Sequence, residues 1–365
     1  MSLPKGYLAA GVACGLKKSG KSDLAMIFSE VPANAAAVFT TNQVKAAPVI
    51  VSIKHIHRGI AQAIVANAGN ANCWTGAKGL RDAYEMASLT AAQLGIEPEK
   101  VLVTSTGSIG HPLPMDKVCK GIKTASLKLS KDGLSAAARA IMTTDLKEKR
   151  ITVKVGKYSV SGIAKGSGMI APTMATMHAF IVTDAAVDQQ ILQQVVKAAS
   201  EKSFNMVSVD NCMSTNDCVF LLANGMSGVK VKGAAVKKFA QVVEKVCIYL
   251  AKEIARDGEG ATKLLEIRAK GARNNAEAKT AVKALINSFL LKAAVYGQDR
   301  NFGRILQALG STSIDINWEK FKWSWEMKAK QDVITIDLKA GKGEAIGWGC
   351  DLTEDYVKIN ADYHT

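Results

Sequence analysis

The sequence predicts a mixed α/β fold, with stacked β-sheets lying between helices. Helix-period and strand-like runs interleave irregularly along the chain. Two strand-like runs within residues 151–165 meet at a Gly-Lys turn and read as a hairpin, which a regular parallel βαβ series does not contain. A length of 365 residues with 48% hydrophobic content supplies enough apolar side chain for two domains or one large layered unit.

Along the chain, "DLAMIFSEVP" reaches Pro32 as an apolar run with the look of a strand, and "AQAIVAN" (Ala61–Asn67) is a second. "LRDAYEMASLTAAQLG" has helical periodicity and places Gly95 where a left-handed C-terminal cap belongs. "VLVTST" (Val101–Thr106) returns to strand, and "PMDKVCKGIKTASLKLS" to helix. The hairpin "ITVKVGKYSVSGIAKG" and the strand "FIVTDA" follow, then the helix "DQQILQQVVKAASEKSF". The second half alternates "CVFLLAN" (strand), "AAVKKFAQVVEKVCIYLAKEIARDG" (a long helix ending at Gly258), "KLLEIRAKG" (strand), "NNAEAKTAVKALINSFLLKAAV" (one helix) and "DVITIDLKAG" (strand). No repeat of fixed period and no low-complexity linker marks a domain boundary.

The seven cysteines are odd in number, scattered and without a CxxC pair, so reduced thiols and a cytoplasmic location are expected. Glycines interrupt the apolar N-terminal patch, which argues against a secretory signal, and the longest uncharged run is too rich in glycine, proline and hydroxyls to span a bilayer. The net charge of +15 suits small anionic substrates. The basic residues are dispersed in solvated-looking runs such as "KEKR" and "KVKG", with no nucleic-acid-binding signature beside them, so neither a nucleic-acid nor a membrane partner is expected.

Several motifs bear on chemistry. "GLKKSGKS" (Gly15–Ser22) satisfies the phosphate-loop spacing, but the run after it reads as strand where a phosphate site needs a helix N-terminus, so a glycine-lysine turn is expected. His55, His57, His111, His178 and His364 show no ligand spacing, and no metal is expected. There is no GxSxG elbow. Acyl transfer can proceed without histidine when a threonine becomes the N-terminal residue of a new chain, because its own amine then serves as base. "KGSGMIAPTMATMHAF" sets glycine, proline and the small Ala175 before Thr176, which suits such a break; a buried turn with threonines bonded to backbone carbonyls explains the same residues. "STGSIG" (Ser105–Gly110) ends a strand with a Thr-Gly pair able to offer a hydroxyl and an open backbone N–H to an oxyanion, or is a plain turn. "MTTD" (Met142–Asp145) and "RDGEGATK" (Arg256–Lys263) have equally simple turn and helix-end readings.

Taken in order, "GVACGLKKSGKSDLA", "VFTTNQVKAAPV", "GNAN", "STGSIGHPLPMDK", "IMTTD", "KGSGMIAPTMATM", "STNDCVFLLANG", "DGEGATK", "NFGRI" and "YVKINADY" resemble the ornithine acetyltransferase family, the ArgJ-type glutamate N-acetyltransferases of arginine biosynthesis. The resemblance covers essentially the whole chain. It implies a self-processing ArgJ/DmpA-like fold, cut between Ala175 and Thr176 into an α chain of residues 1–175 and a β chain of residues 176–365. It further implies Thr176 as nucleophile, Thr106 and Gly107 as the oxyanion hole, and substrate contacts from Thr143, Lys165, Thr176, Glu259, Asn360 and Thr365. The activity implied is ping-pong acetyl transfer from N-acetylornithine to glutamate, without a cofactor, with acetyl-CoA open as a further co-substrate and an α2β2 assembly of the fragments. A self-processing aminopeptidase is the alternative of related fold. Departures from the family pattern fall at Ala68, Cys73-Trp74, Asn211-Cys212-Met213, Arg300 and Phe302.

Overall fold

The computed structural model describes residues 3–171 and 177–362. The chain opens with β1 (Tyr7–Val12) and the long β2 (Leu24–Phe39), then α1 (Ala47–Ile56), β3 (Ile60–Asn70), α2 (Gly76–Leu94) and β4 (Val101–Ser108). Helices α3 (Met115–Leu127) and α4 (Leu134–Ala140) lead to the antiparallel pair β5 (Lys149–Val155) and β6 (Tyr158–Lys165). Next come β7 (His178–Thr183), β8 (Ala186–Val187), α5 (Gln189–Lys202), β9 (Val207–Ser208), β10 (Cys218–Ala223), β11 (Lys230–Val231) and the long α6 (Ala235–Arg256). The C-terminal part holds β12 (Leu264–Ala272), α7 (Asn275–Ile286), α8 (Phe289–Tyr296), α9 (Phe302–Gly310), β13 (Lys322–Met327), β14 (Gln331–Asp337), β15 (Gly343–Cys350) and α10 (Glu354–Ala361).

The main sheet runs β4-β3-β2-β10-β7-β6-β5, with β1 also paired to β2. β2 is long enough for two neighbours on one side: its first half pairs with β1 and its second, Asn34–Phe39, with β10. β7 and β10, late in the chain, thus lie between β2 and β6, which come before residue 166. Both strands are buried along their whole length, which is why they read as continuous apolar runs with little alternation. Phe180 and Phe220, stacked at 5.6 Å, join Ile163 and Leu134 in the core beneath α4. Ala179 and Ile181 point the other way, into the larger core built around α5 and α6.

Helix α6 is amphipathic, burying Phe239, Val243, Val246, Leu250 and Ile254 at helical spacing. It packs on β5 and β6 of the main sheet and on β12 and β15 of a second, five-stranded sheet ordered β13-β14-β12-β15-β9. The mixed α/β architecture is as expected, with a helical layer between the two main sheets. Gly95 caps α2 in the left-handed region at φ 66°, donating its N–H to Ala91 O.

One element differs from the sequence expectation, and another has no sequence signal of its own. The single helix over Asn274–Val295 is two helices, because Ser288 accepts the N–H of Leu291 at 3.2 Å and starts α8, just as Asn274 caps α7. The segment "APVIVSIKHI" is helix α1, although its β-branched residues favour a strand. Pro48 presets the first turn, and Val49, Val51 and Ser52 are buried.

Candidate active site

Strands β3 and β4 run parallel and their ends set the first part of the site. Gly69 pairs with Gly107, and the register then shifts so that Asn70 faces both Thr106 and Ser108. Gly107 has φ 134°, and a Cβ there would lie 2.3 Å from the Gly69 carbonyl carbon, so only glycine fits. Asn216, just before β10, donates to Ser105 O and Ala71 O, both at 2.7 Å, and ties the two strand ends together. The Thr106 hydroxyl accepts an N–H from Lys165 Nζ at 3.1 Å, which leaves its own proton free to be donated elsewhere. Gly107→Ala is therefore expected to lower kcat by about 10²–10³. Steady-state kinetics on a variant shown to be folded checks this, and an unchanged kcat would remove Gly107 from the chemistry.

Lys165 is the last residue of β6 and faces His178, the first residue of β7. It is buried, and burial pushes its ammonium below the usual lysine range, against the pull of Asp145, Asp217 and Glu259. Asp145, from "MTTD", accepts N–H groups from Gly166 at 2.8 Å and Thr143 at 2.9 Å. Its carboxyl lies well below its ordinary value: burial opposes ionisation, but the Lys149 and Lys165 ammoniums outweigh it.

Lys149 joins the distant turns. Its side chain is 1% exposed and its Nζ lies 2.6 Å from both Asp145 and Asp257. Asp257 also accepts the N–H groups of Leu146 and Lys147, so "MTTD" and "RDGEG" share one buried ammonium. Sequence reasoning placed Lys149 in the solvated run "KEKR", and only the non-local pairing of the two turns distinguishes it from its neighbours.

From Lys165 the chain reaches the opposite charge within three residues. Ser167 donates to Asp257 O at 2.6 Å and its carbonyl accepts Glu259 N at 3.0 Å. Gly168 passes so close to Glu259 that a Cβ would sit 2.2 Å from its carboxylate oxygen. Asn360, on the exposed face of α10, donates to Glu259 Oε2 at 2.8 Å. A buried ammonium at Lys165 and a buried carboxylate at Glu259, packed against Ser167 and Gly168, thus lie on neighbouring parts of the chain, a polarity that matches the two ends of an amino acid.

Of the predicted site residues, the structure brings Lys165 to Thr106 and Gly107, brings Thr143 to Asp145, and pairs Glu259 with Asn360. Ala175, Thr176 and Thr365 lie outside the described residues. Asp210 holds the chain that follows Gly168: its carboxylate accepts the N–H groups of Met169 at 2.6 Å and Ile170 at 2.8 Å, and Tyr356 of α10 donates to it at 3.4 Å. Next to it Asn211 occupies the left-handed region at φ 58°, which asparagine tolerates better than most residues other than glycine. Phe302, another departure, stacks on Trp323 at 4.4 Å.

His178 is buried, bonded to Thr104 Oγ1 at 2.5 Å, and pushed down to about 3 by burial and by the Lys165 ammonium. An unfolded chain binds the imidazole proton near pH 6.5, so acid favours unfolding: stability falls as pH drops from about 6.5 toward about 3, by up to about 1.4 kcal/mol per pH unit. Thermal melts of wild type and His178→Gln between pH 7 and pH 4 check this, the variant giving the flatter profile. Among the described residues no group of His, Cys, Asp or Glu could hold a metal ion, and no helix is long and apolar enough to cross a membrane. The phosphate-loop spacing of "GLKKSGKS" is satisfied internally: the buried Asp23 carboxylate takes the N–H groups of Cys14, Gly15, Leu16 and Lys17 at 2.6–3.1 Å.

A mixed α/β scaffold carrying a Thr-Gly strand end beside a buried lysine, with a buried carboxylate close by, has the polarity of an enzyme site for a small charged molecule. The ArgJ family profile matches residues 8–365, and the chain belongs to that family. It is 46% identical over 395 residues to the arginine biosynthesis bifunctional protein ArgJ of Symbiobacterium thermophilum, covering 100% of this chain and 98% of that protein. Its counterpart in Caldanaerobacter subterraneus subsp. tengcongensis is 47% identical over 397 residues, with the same coverage. Among solved structures, the ornithine acetyltransferase of Mycobacterium tuberculosis, complexed with ornithine, is 42% identical, covers 46% of this chain and 92% of its own, and gives a TM-score of 0.45. Membership makes the chain an enzyme, an acetyltransferase of arginine biosynthesis.

Proposed function

We propose that the chain moves an acetyl group from N-acetylornithine to glutamate by a ping-pong reaction through acetyl-Thr176, after cutting itself between Ala175 and Thr176 into fragments 1–175 and 176–365. The observation that carries this reading is the Lys165–Thr106 contact at 3.1 Å, one residue from the Gly107 backbone, on the strand facing His178. Thr176 is joined by one peptide bond to Met177, whose carbonyl accepts Cys218 N at 3.2 Å at the entrance to β7.

In this scheme the Thr176 hydroxyl attacks the acetyl carbonyl while its own α-amine takes the proton. The Thr106 O–H and the Gly107 N–H face the oxygen that becomes negative, and Lys165, bonded to Thr106, keeps the hydroxyl oriented. The amide C–N bond breaks, the proton passes to the departing ornithine amine, and the acetyl ester of Thr176 remains. Attack by the α-amine of glutamate reverses these steps, forming N-acetylglutamate and returning the proton to the threonine oxygen. Lys165 suits a substrate carboxylate, and Glu259, oriented by Asn360, suits the ammonium of ornithine. Thr143, whose N–H is held by Asp145, and Thr365 complete the substrate contacts of this scheme.

Acetyl-CoA fits the same chemistry as a second donor, since a thioester acylates Thr176 as an amide does, and the word bifunctional in the relatives' names favours testing it. The fragments stay together as an αβ unit because β7 and β10 lie between β2 and β6, and an α2β2 assembly in the cytoplasm completes the reading; the odd number of scattered cysteines without a CxxC pair supports that compartment. The test is an assay of labelled acetyl from N-acetylornithine appearing in N-acetylglutamate, together with the mass of the acid-quenched 176–365 fragment. Transfer with an added acetyl mass on Thr176 supports the proposal. Peptide hydrolysis without transfer overturns it in favour of the aminopeptidase.

A further inference from the structure

The β1–β2 loop, with its unused phosphate-loop spacing, lies against the oxyanion strands. Asp23 holds the backbone of residues 14–17, and that places Lys17 over β3: the Cγ of Lys17 and the carbonyl of Leu16 both lie 3.4 Å from the position a Cβ on Gly69 would take. Gly69 is the register partner of Gly107. Lys165 meets Thr106 from the β6 side, so two lysines approach the same pair of strand ends from different elements. Lys17 Nζ donates to Ser22 O at 2.5 Å, which occupies one of its three N–H groups. Burial lowers its ammonium to about 8, with Asp23 and Asp145 opposing the shift and Lys165 adding to it.

The proposed substrates differ in a way that calls for a second cation. N-acetylornithine brings one carboxylate and a side-chain ammonium, whereas glutamate brings two carboxylates to the same nucleophile. Lys165 answers the carboxylate both have in common. Lys149 is consumed by Asp145 and Asp257, and Lys117 is an exposed side chain bonded to Gly15 O. We infer that Lys17 is a specificity-determining residue of the acceptor half-reaction, its ammonium receiving the side-chain carboxylate of glutamate; this rests on the acetyltransferase reading above. It gives this glycine-rich, lysine-bearing loop a use other than phosphate binding, its amides being taken by the chain's own Asp23.

The experiment uses the full-length, self-processed protein with Lys17→Gln, which can still donate to Ser22 O but carries no charge, and Lys17→Arg, which keeps the charge. Two rates are compared: acetyl transfer to glutamate, and the glutamate-independent exchange of labelled ornithine into N-acetylornithine. The expected result is a KM for glutamate 10–100-fold higher in Lys17→Gln, so that kcat/KM for glutamate falls by that factor relative to exchange, with Lys17→Arg restoring most of the loss. An unchanged KM for glutamate, or an equal fall in transfer and exchange, overturns the assignment and leaves Lys17 as a loop anchor. A wild-type protein that exchanges no ornithine overturns the acetyltransferase reading itself, and the acceptor assignment with it.

Discussion

Thr176→Ala is expected to leave the chain as one intact polypeptide of 365 residues and to reduce acetyl transfer by about four to six orders of magnitude. Both losses have a single origin. Self-cleavage by an internal threonine begins with its hydroxyl attacking the preceding carbonyl, here that of Ala175, and alanine has nothing to attack with. The uncut chain then lacks both the nucleophile and the free α-amine that would serve as its base. Thr176→Ser should behave differently, because serine keeps the hydroxyl and the amine and loses only a methyl group. Intact-mass measurement of purified wild type, Thr176→Ala and Thr176→Ser, followed by transfer assays, separates these cases. A Thr176→Ala protein that is still cut after residue 175, or that still transfers acetyl at the wild-type rate, would refute the mechanism at its first step.

Lys149→Met is expected to cost about 3–5 kcal/mol, enough to lower the melting temperature by about 4–7 °C, and to weaken substrate binding at a distance. The Lys149 side chain is 1% exposed and lies between two buried carboxylates, so removing its charge leaves Asp145 and Asp257 close together with only Lys165 and backbone N–H groups to offset them. Burial alone would push the lysine's own pKa down, yet the two carboxylates raise it, which marks the pair interaction as the stronger of the two effects. Asp145 holds Thr143 and Gly166, and Asp257 holds the turn before Glu259, so loosening Lys149 moves both ends of the site together. Adding Asp257→Asn to Lys149→Met should recover part of the stability by removing one stranded charge. Thermal melts of the single and double variants, read as a double-mutant cycle, check the coupling, and additivity would show that the triad does not act as a unit.

How much of this was legible beforehand depends on whether an element is defined locally. The strands over Val101–Thr106, Phe180–Ala185 and Cys218–Asn224 and the helix capped by Gly95 carry their own signals in apolar runs and a glycine cap, and the structure shows all four. The helix α1 did not, because its Val and Ile residues favour a strand in isolation and burial against α2 and β4 decides the outcome. Site residues divide the same way. The Thr-Gly step at 106–107 and the glycine-rich stretch after Lys165 are visible as unusual local chemistry. Lys149, Asn216 and Asp23 act through contacts with residues dozens of positions away or through backbone amides, and nothing in "KEKR", "STND" or "KSDLA" separates them from surface polar residues. The phosphate-loop spacing was correctly set aside on the strand that follows it, but the reason for its form, an internal carboxylate bound by four amides, is a property of the folded loop.

If the proposed cut after residue 175 is made, the order β2-β10-β7-β6 has a consequence for the protein as a physical object. Two strands of one fragment are threaded between strands of the other, so the pieces cannot part by sliding off a surface; the central sheet must come undone first. Partners are then not swapped between molecules while the fold persists, and each cut molecule keeps the two halves it was synthesised with. Once unfolded, the halves must find each other by diffusion, and recovery becomes second order in protein where the uncut chain needed only itself. The proposed cleavage would thus convert a reversible folding equilibrium into persistence governed by the height of the unfolding barrier, and a lifetime, more than an equilibrium constant, would set how long the cut protein lasts.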